Sequence, residues 1–228
     1  WAAVAEVQGW PLLRHNVCFS RDYAAEFRDL AAGRLPGEPT VYICAQDRGD
    51  ALAEDAAVAI ELMHCASLVY DDLPCFDDAA IRRGHPSVHA AFGEELAILA
   101  GNALIVLSFD TLARAGAAHP ALLPGLLRIV ARGTGAPSGI CAGQAWESDA
   151  HTDLAIYHRA KTGALFESAI LAGAISSGGD PLQWTGLGYR LGEAYQVADD
   201  LRDAYGRPEL LGKPIGQDAV NARPSAVH

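Results

Sequence analysis

The sequence is short of basic residues, and of lysine above all. Its 228 residues include 17 Lys and Arg against 28 Asp and Glu, for a net charge of −11. A nucleic-acid-binding domain needs a basic face to neutralise phosphates, so this balance argues against a nucleic-acid partner. Lysine occurs only at Lys161 and Lys213. A composition that avoids lysine elsewhere suggests that these two have specific roles.

The sequence also lacks the signals of membrane and secreted proteins. No run of about 18 apolar residues is free of charges and turn residues, so we expect no membrane span. No charged segment followed by an apolar one indicates a signal peptide. Five cysteines form no CxxC pair, which predicts free thiols in a reducing cytoplasm. The only methionine is Met63 and the sequence starts at Trp1, so we expect the native start to be missing or the chain to be a fragment.

Strand signals are scarce after residue 50. Half of the residues are hydrophobic, and from Asp50 onward they recur at helical spacing. This pattern predicts an all-α domain, with helices over residues 51–69, 87–115, 122–133, 153–176 and 181–204. Residues 1–49 are irregular and contain one β-like run, PTVYICAQ, after a turn signal.

Two acidic clusters follow apolar helical segments. The first has the sequence DDLPCFDD and begins at Asp71; the second has the sequence DDLRD and begins at Asp199. Crowded carboxylates repel one another and need cations, and their hard oxygens favour Mg²⁺. The alternative is that both clusters are solvated helix ends.

Cations stand beside these clusters. Arg82 and Arg83 follow the first cluster, Lys161 lies in HRAKTG, and Lys213 follows the second cluster. Arginine forks onto phosphate oxygens and lysine binds them as a point charge. The alternatives are surface salt bridges for the arginines and an exposed helix position for Lys161. Together, the acidic clusters and the cations indicate a diphosphate ester with a hydrocarbon tail as ligand.

Five motifs in order carry a family resemblance over residues 50–228. They are LVYDDLPCFDDAAIRRG, AGQAWE, HRAKTGALFESA, AYQVADDLRDAYG and LGKPIGQDA. They resemble the trans-prenyl diphosphate synthases, and in particular the geranylgeranyl diphosphate synthases of bacterial carotenoid pathways. The resemblance implies an isoprenoid-synthase-type helical bundle around a deep central cavity, with an irregular N-terminal segment.

The resemblance also implies a role for each matching residue. Lys161, Thr162 and Gln196 would be catalytic, with Thr162 and Gln196 beside the cation and its leaving group. Diphosphate binding would fall to two sets: Arg82, Lys161 and Lys213 for the allylic substrate, and Arg83 and His64 for isopentenyl diphosphate. The metal ligands would be Asp71, Asp72, Asp77, Asp199, Asp200 and Asp203.

The implied reaction condenses isopentenyl diphosphate with an allylic diphosphate (farnesyl, geranyl or dimethylallyl). Its product would be geranylgeranyl diphosphate for carotenoid or chlorophyll biosynthesis, made with three Mg²⁺ ions by a homodimer. Ala66 and Ser67, one turn before Asp71, are small and would leave the channel open for a long product. We expect Gln144 to line the cavity, and His85, His89, His151 and His158 to lie on the surface.

The sequence departs from the family at several points. The basic motif that precedes the first cluster is missing, Tyr70 replaces the usual His, and Asn102 stands where Asp is common. Residues 1–49 resemble a C-terminal fragment of a carotenoid desaturase, although a divergent N-terminus is the alternative. We therefore predict an N-terminal segment over 1–49 and a prenyl synthase domain over 50–228 that lacks helices at both ends.

Three other functions stay open on the sequence. A class I terpene cyclase would also use an Asp-rich cluster, but it should lack the RRG that follows Phe76-Asp77-Asp78 after three residues here. A non-catalytic partner subunit is favoured by the missing basic motif and opposed by the two intact acidic clusters. An inactive fragment would keep the motifs but bind isopentenyl diphosphate poorly.

Overall fold

The computed structural model describes residues 51–82, 85–147 and 153–205. The elements in chain order are α1 (Ala51–Asp71), β1 (Ile81–Arg82), β2 (His85–Pro86), α2 (Val88–Phe92), α3 (Glu94–Gly116), α4 (Leu123–Thr134), α5 (Ile140–Trp146), α6 (Leu154–His158), a π-helical turn (Arg159–Gly163), α7 (Ala164–Ser176), a 3₁₀ turn (Pro181–Trp184) and α8 (Leu187–Tyr205). The all-α prediction is confirmed. The N-terminal segment lies outside the described residues, as do Arg83, His151 and Lys213.

Helix α1 is the centre of the domain because its apolar residues continue around most of its surface. Near its C-terminal end, Val69 packs in a buried cluster with Leu104 and other residues of α3. Nearer its start, Met63 packs in a second cluster with Leu126 of α4 and Ala172 of α7. Burial on several sides fixes the axis of α1, and with it the position of the acidic residues at its end.

Two glycines divide helices that the sequence predicts as continuous. Gly93 has φ +91° and separates α2 from α3 inside the predicted helix 87–115. Gly186 has φ +85° and separates the 3₁₀ turn from α8 inside the predicted helix 181–204. Both glycines adopt the left-handed region, which costs a residue with a Cβ free energy. The predicted single helices are therefore wrong at these two points.

Two elements have no counterpart in the sequence prediction. One is α5, seven residues that end just before Glu147. The other is the antiparallel pair β1–β2, in which Ile81 lies opposite Pro86 and Arg82 opposite His85. The hairpin matters because it returns Arg82 towards the end of α1.

The predicted helix 153–176 is helical throughout, but its middle is π-helical. The turn Arg159–Gly163 carries Lys161 and Thr162, and π-helical turns occur frequently at functional sites. Helix α5 lies directly on this turn, since a Cβ at Gly143 would come within 2.4 Å of the Lys161 Cα. This approach places the end of α5 beside the Lys161 side chain.

Helix α8 is held on α7 by a buried carboxylate. The Glu167 oxygens accept hydrogen bonds from the backbone N–H groups of Gly186 (2.9 Å) and Gly188 (3.0 Å). These groups lie at the start of α8, one just before the helix and one in its first turn, where backbone N–H groups have no partner within the helix. The cap fixes the start of α8, and the helix then passes over the π-helical turn.

Helix α3 is long and apolar enough to cross a membrane by length and composition, with a mean hydropathy of 1.8 over its most apolar window. A third of that window is buried inside the domain. Core helices of soluble proteins pass the same test, so the expected absence of a membrane span stays a prediction.

Candidate functional site

The first acidic cluster lies in a turn that ends α1. The Asp77 N–H donates to the Asp71 carbonyl (2.9 Å), so the chain folds back and places Asp77 beside Asp71. The helix does not continue past Asp71, so Asp78 does not lie two turns farther along one helical face. The Asp78 side chain is 73% exposed.

Three carboxylates meet at this turn. One oxygen from each of Asp71, Asp77 and Glu147 lies within 4.8 Å of the other two. The Asp71 Oδ1 is buried and has no hydrogen-bond partner among the described residues. Hard oxygen donors at this spacing, one of them unsatisfied, fit a Mg²⁺ ion that completes its shell with water and phosphate oxygens. Glu147 is absent from the predicted ligands, although AGQAWE, which it ends, was among the motifs.

Asp72 has a different environment from Asp71. It is fully buried, and its Oδ1 accepts hydrogen bonds from the Arg82 Nε (2.9 Å) and from a terminal nitrogen of the same guanidinium. Burial raises the pKa of Asp72, and the Arg82 hydrogen bond and charge oppose that rise. Arg82 also lies 3.3 Å from the Asp71 Oδ2. Asp72, predicted as a metal ligand, thus forms hydrogen bonds with Arg82, which is predicted to bind diphosphate.

Lys161 lies on the other side of the carboxylates. Its Nζ donates to the Glu147 Oε1 (2.6 Å) and stands 3.9 Å from the Asp71 Oδ1. The same Glu147 oxygen accepts from the Tyr157 hydroxyl (3.1 Å), and the other accepts from the Gln144 Nε2 (2.7 Å). Gln144, predicted to line the cavity, therefore contacts the acidic group through Glu147.

A chain of hydrogen bonds joins the π-helical turn to α8. The Thr162 Oγ1 donates to the Gln196 Oε1 (2.5 Å), and the Gln196 Nε2 donates to the Asp200 Oδ1 (2.8 Å). Asp200 is buried at 2% exposure, and its Oδ2 lies 3.6 Å from the His158 Nε2. Thr162 and Gln196, which the resemblance assigns to the same catalytic role, are thus in direct contact.

The expected surface position of His158 is wrong. Its side chain is buried beneath α8, and burial lowers its pKa although the nearby Asp200 and Glu193 raise it. His89 is also partly covered, with a side chain only 11% exposed. His85 is exposed as predicted.

The remaining predicted residues are placed only in part. His64 is half-buried on α1, and Ala66 packs in the apolar cluster between α1 and α3. Asp199 and Asp203 lie within α8, but their side chains are outside the described part of the structure. The roles of these residues stay predictions.

Known proteins resemble this chain in sequence and in structure. The polyprenyl synthetase family model matches residues 39–228. Geranylgeranyl diphosphate synthase of Cereibacter sphaeroides is 59% identical over 184 residues, covering 81% of this chain and 64% of that protein. Its counterpart in Rhodobacter capsulatus is 53% identical over 207 residues, covering 87% and 71%.

The crystal structure of a Helicobacter pylori geranyltransferase, complexed with magnesium and isoprenyl diphosphate, has a TM-score of 0.68 and 32% identity. The match covers 76% of this chain and 59% of that one. This chain spans 64% and 71% of the length of the two curated relatives. The match to the family model and the shared helical fold lead to one conclusion: the chain belongs to the polyprenyl synthetase family.

Proposed function

We propose that this chain is a Mg²⁺-dependent prenyltransferase that condenses isopentenyl diphosphate with an allylic diphosphate to give geranylgeranyl diphosphate. The observation that carries the proposal is the group Asp71, Asp77 and Glu147, with Lys161 and Arg82 on its flanks. The carboxylates suit Mg²⁺, and the two cations beside them suit the oxygens of a diphosphate. The group therefore fits a diphosphate that binds together with metal ions.

Asp71, Asp77 and Glu147 would hold Mg²⁺. When bound, the metal neutralises the negative charge of the diphosphate and stabilises its departure. Asp199 and Asp203 would add ligands from α8, as the family resemblance implies. Asp200 would join them as a ligand, and its Oδ1 also accepts a hydrogen bond from the Gln196 Nε2, which orients that amide.

The cations bind and orient the allylic diphosphate. Lys161 and Arg82 carry donors next to the carboxylates, where the diphosphate oxygens would lie. Lys213 would add a third cation, and Arg83 and His64 would contact isopentenyl diphosphate. Positioning both substrates converts a bimolecular encounter into a reaction within one site.

The reaction needs no side-chain nucleophile. The allylic C–O bond breaks and leaves a delocalised carbocation, with its electron pair on the departing diphosphate. The double bond of isopentenyl diphosphate attacks the carbocation, and the new cation loses a proton to the released diphosphate. The Thr162 hydroxyl and the Gln196 carbonyl, held against each other, present their dipoles beside the carbocation.

We propose a homodimer as the functional unit, with α3 at the interface. Five large apolar side chains of α3 face solvent: Leu96 (54% exposed), Leu99 (60%), Val106 (67%) and Leu107 (37%) along one side of the helix, and Ile98 (44%) apart from them. Monomeric proteins rarely expose a continuous apolar patch of this kind, and a second copy would bury it. We also propose a cytoplasmic location for the chain.

The proposal is tested by incorporation of labelled isopentenyl diphosphate into farnesyl diphosphate with Mg²⁺, with product length read by chromatography. We expect a C20 product. Asp77→Asn should lower the rate by about 10²–10³-fold, because an anionic ligand of the charge-stabilising group is lost. Asp78→Asn is the matched control: this exposed aspartate has φ +48°, which asparagine tolerates, and the rate should stay within about twofold of wild type.

Two results would contradict the proposal. Equal losses in Asp77→Asn and Asp78→Asn would show that the three-carboxylate group is not the reacting centre. Binding of the allylic diphosphate without any product would favour the non-catalytic subunit or the inactive fragment. Copurification with a larger synthase would then separate those two.

A further inference from the structure

Tyr70 of α1 and Asn102 of α3 are in direct contact. Tyr70 directly precedes Asp71 near the end of α1, and Asn102 lies in α3. The Tyr70 hydroxyl donates to the Asn102 Oδ1 at 2.6 Å, a good distance for a hydrogen bond between neutral oxygen groups. The bond links two helices through residues 32 positions apart in the chain.

The Tyr70 ring reaches Asn102 by lying against Gly101. A Cβ at residue 101 would come within 2.5 Å of the Tyr70 Cζ and 2.9 Å of its hydroxyl oxygen. Glycine therefore makes the space for the ring, and the next residue on α3 supplies the acceptor. Contact along the ring and a hydrogen bond at its tip together restrict the rotation of Tyr70.

The turn that carries the carboxylates is attached to Tyr70. The Tyr70 carbonyl accepts from the Leu73 N–H (3.0 Å), and the Asp71 carbonyl accepts from the Asp77 N–H (2.9 Å). The Asp71 Oδ1 has no hydrogen bond of its own among the described residues. The position of this oxygen therefore depends on the backbone at the end of α1 and on the contact between the Asp71 Oδ2 and Arg82 at 3.3 Å.

We propose that Tyr70 is a positioning residue, whose hydrogen bond to Asn102 anchors the end of α1 on α3 and thereby holds Asp71 and Asp77 at the spacing that a metal ion needs. Both side chains are neutral, so the anchor adds no charge beside the crowded carboxylates. The inference rests on the proposed function, because it assigns the spacing to metal and diphosphate binding.

The test is a double-mutant cycle on Tyr70→Phe, which keeps the ring on Gly101, and Asn102→Ala. Binding of Mn²⁺ in the presence of inorganic pyrophosphate is measured from the EPR signal of free Mn²⁺. We expect each single variant to weaken this affinity about three- to tenfold, the effect of losing one hydrogen bond. The double variant should be no weaker than either single one.

Tyr189→Phe is the matched control, because it removes a tyrosine hydroxyl on α8, and phenylalanine keeps the contact of the ring with the Arg159 guanidinium. Its affinity should equal that of wild type. Light scattering on every variant checks that the oligomeric state is unchanged. Wild-type affinity in Tyr70→Phe, or additive losses in the double variant, would overturn the inference.

Hydrogen exchange of the chain without ligand separates this inference from the proposed function. If the anchor holds the turn, the amides of residues 73 and 76–79, which donate backbone hydrogen bonds there, should exchange several-fold faster in Tyr70→Phe than in wild type. A wild-type chain that does not bind Mn²⁺ with pyrophosphate would refute the proposed function, and the exchange result would then decide on the anchor. Equal exchange in wild type and Tyr70→Phe would overturn the inference that Tyr70 anchors the turn.

Discussion

Glu147 is the residue through which the cation and the carboxylates of the site are joined. It accepts hydrogen bonds from Lys161, Tyr157 and Gln144, and one of its oxygens lies within 4.8 Å of an oxygen of Asp71 and of Asp77, with which it could share a metal ion. A carboxylate with this many donors has a fixed orientation. A single-atom change at Glu147 should therefore disturb the metal more than the fold.

We predict that Glu147→Gln raises the Mg²⁺ concentration for half-maximal activity by about ten- to a hundredfold, the usual cost of losing an oriented ligand or its supporting partner. The amide keeps the size of the side chain but loses its charge. Glu94→Gln, at an exposed position on α3, is the control and should leave the Mg²⁺ dependence unchanged. A Mg²⁺ titration of isopentenyl diphosphate incorporation measures both. An unchanged requirement in Glu147→Gln would remove this residue from the metal site.

His158 gives stability a dependence on pH. Because its pKa is lowered from 6.5 in the folded chain, the unfolded chain binds a proton over a range in which the folded chain does not. The stability contribution is therefore complete above pH 6.5 and is lost as the pH falls below that value towards the lowered pKa.

Replacing His158 with glutamine should remove this part of the pH dependence. We expect the free energy of unfolding of His158→Gln to fall less than that of wild type as the pH is lowered below 6.5. Urea unfolding at several pH values measures the difference. His119→Gln, at an exposed position, should keep the wild-type slope. Parallel curves for wild type and His158→Gln would contradict the prediction.

At the scale of elements, the site depends on the close approach of α5 to the π-helical turn. A Cβ at Gly143 would lie 2.4 Å from the Lys161 backbone nitrogen and 2.8 Å from the Ala160 carbonyl carbon. Backbone atoms cannot rotate away as the end of a side chain can. Any side chain at position 143 must therefore separate the two elements and move Lys161 from Glu147.

We predict that Gly143→Ala destabilises the chain by about 1–3 kcal/mol, as overpacking typically does, and lowers activity in the fraction that is still folded. Gly125→Ala is the matched helical control, because its Cβ would meet only the tip of the Ile175 side chain at 3.2 Å. That variant should be as stable as wild type or slightly more stable. Urea unfolding with a parallel activity assay measures both. Equal behaviour of the two variants would contradict the prediction.

The helices were predictable from apolar spacing, whereas their breaks were not. Gly101 lies inside α3 and Gly93 ends α2, and both stand in an Ala- and Leu-rich stretch. Glycine tolerates both the helical and the positive-φ backbone conformation, so the packing of neighbouring helices decides which one it adopts. The spacing of apolar residues carries no information about that choice.

The site was predictable as far as its residues are close in sequence. Asp71, Asp72 and Asp77 stand in one motif, but the motif alone does not show that Asp72 binds Arg82 or that Asp78 faces solvent. Glu147 is 70 residues farther along the chain than Asp77 and joins the group only through the packing of α5. His158 stands in a polar motif, and its burial depends on α8.

At the scale of the whole molecule, the outer side of α3 is an apolar surface on the described part of the chain. Leu99, Asn102 and Val106 all face solvent on this helix. Only a third of the most apolar 18-residue segment of α3 is buried. A second copy packed here would cover the apolar side chains and also enclose the Tyr70–Asn102 hydrogen bond. Dimer formation and the position of Asp71 would then be linked.

We therefore predict that wild type sediments as a dimer and that Leu99→Asp combined with Val106→Asp yields monomers. Each copy would bring two carboxylates without partners into an apolar contact, where burial of an unpaired charge is strongly unfavourable. The control is Leu182→Asp, because Leu182 is 79% exposed on the 3₁₀ turn, away from α3. Analytical ultracentrifugation measures the assembly. A monomeric wild type, or a double variant that stays dimeric, would contradict the assignment of this face to the dimer interface. If the double variant is monomeric, weaker binding of Mn²⁺ with pyrophosphate by the monomer would show that the interface supports the acidic group.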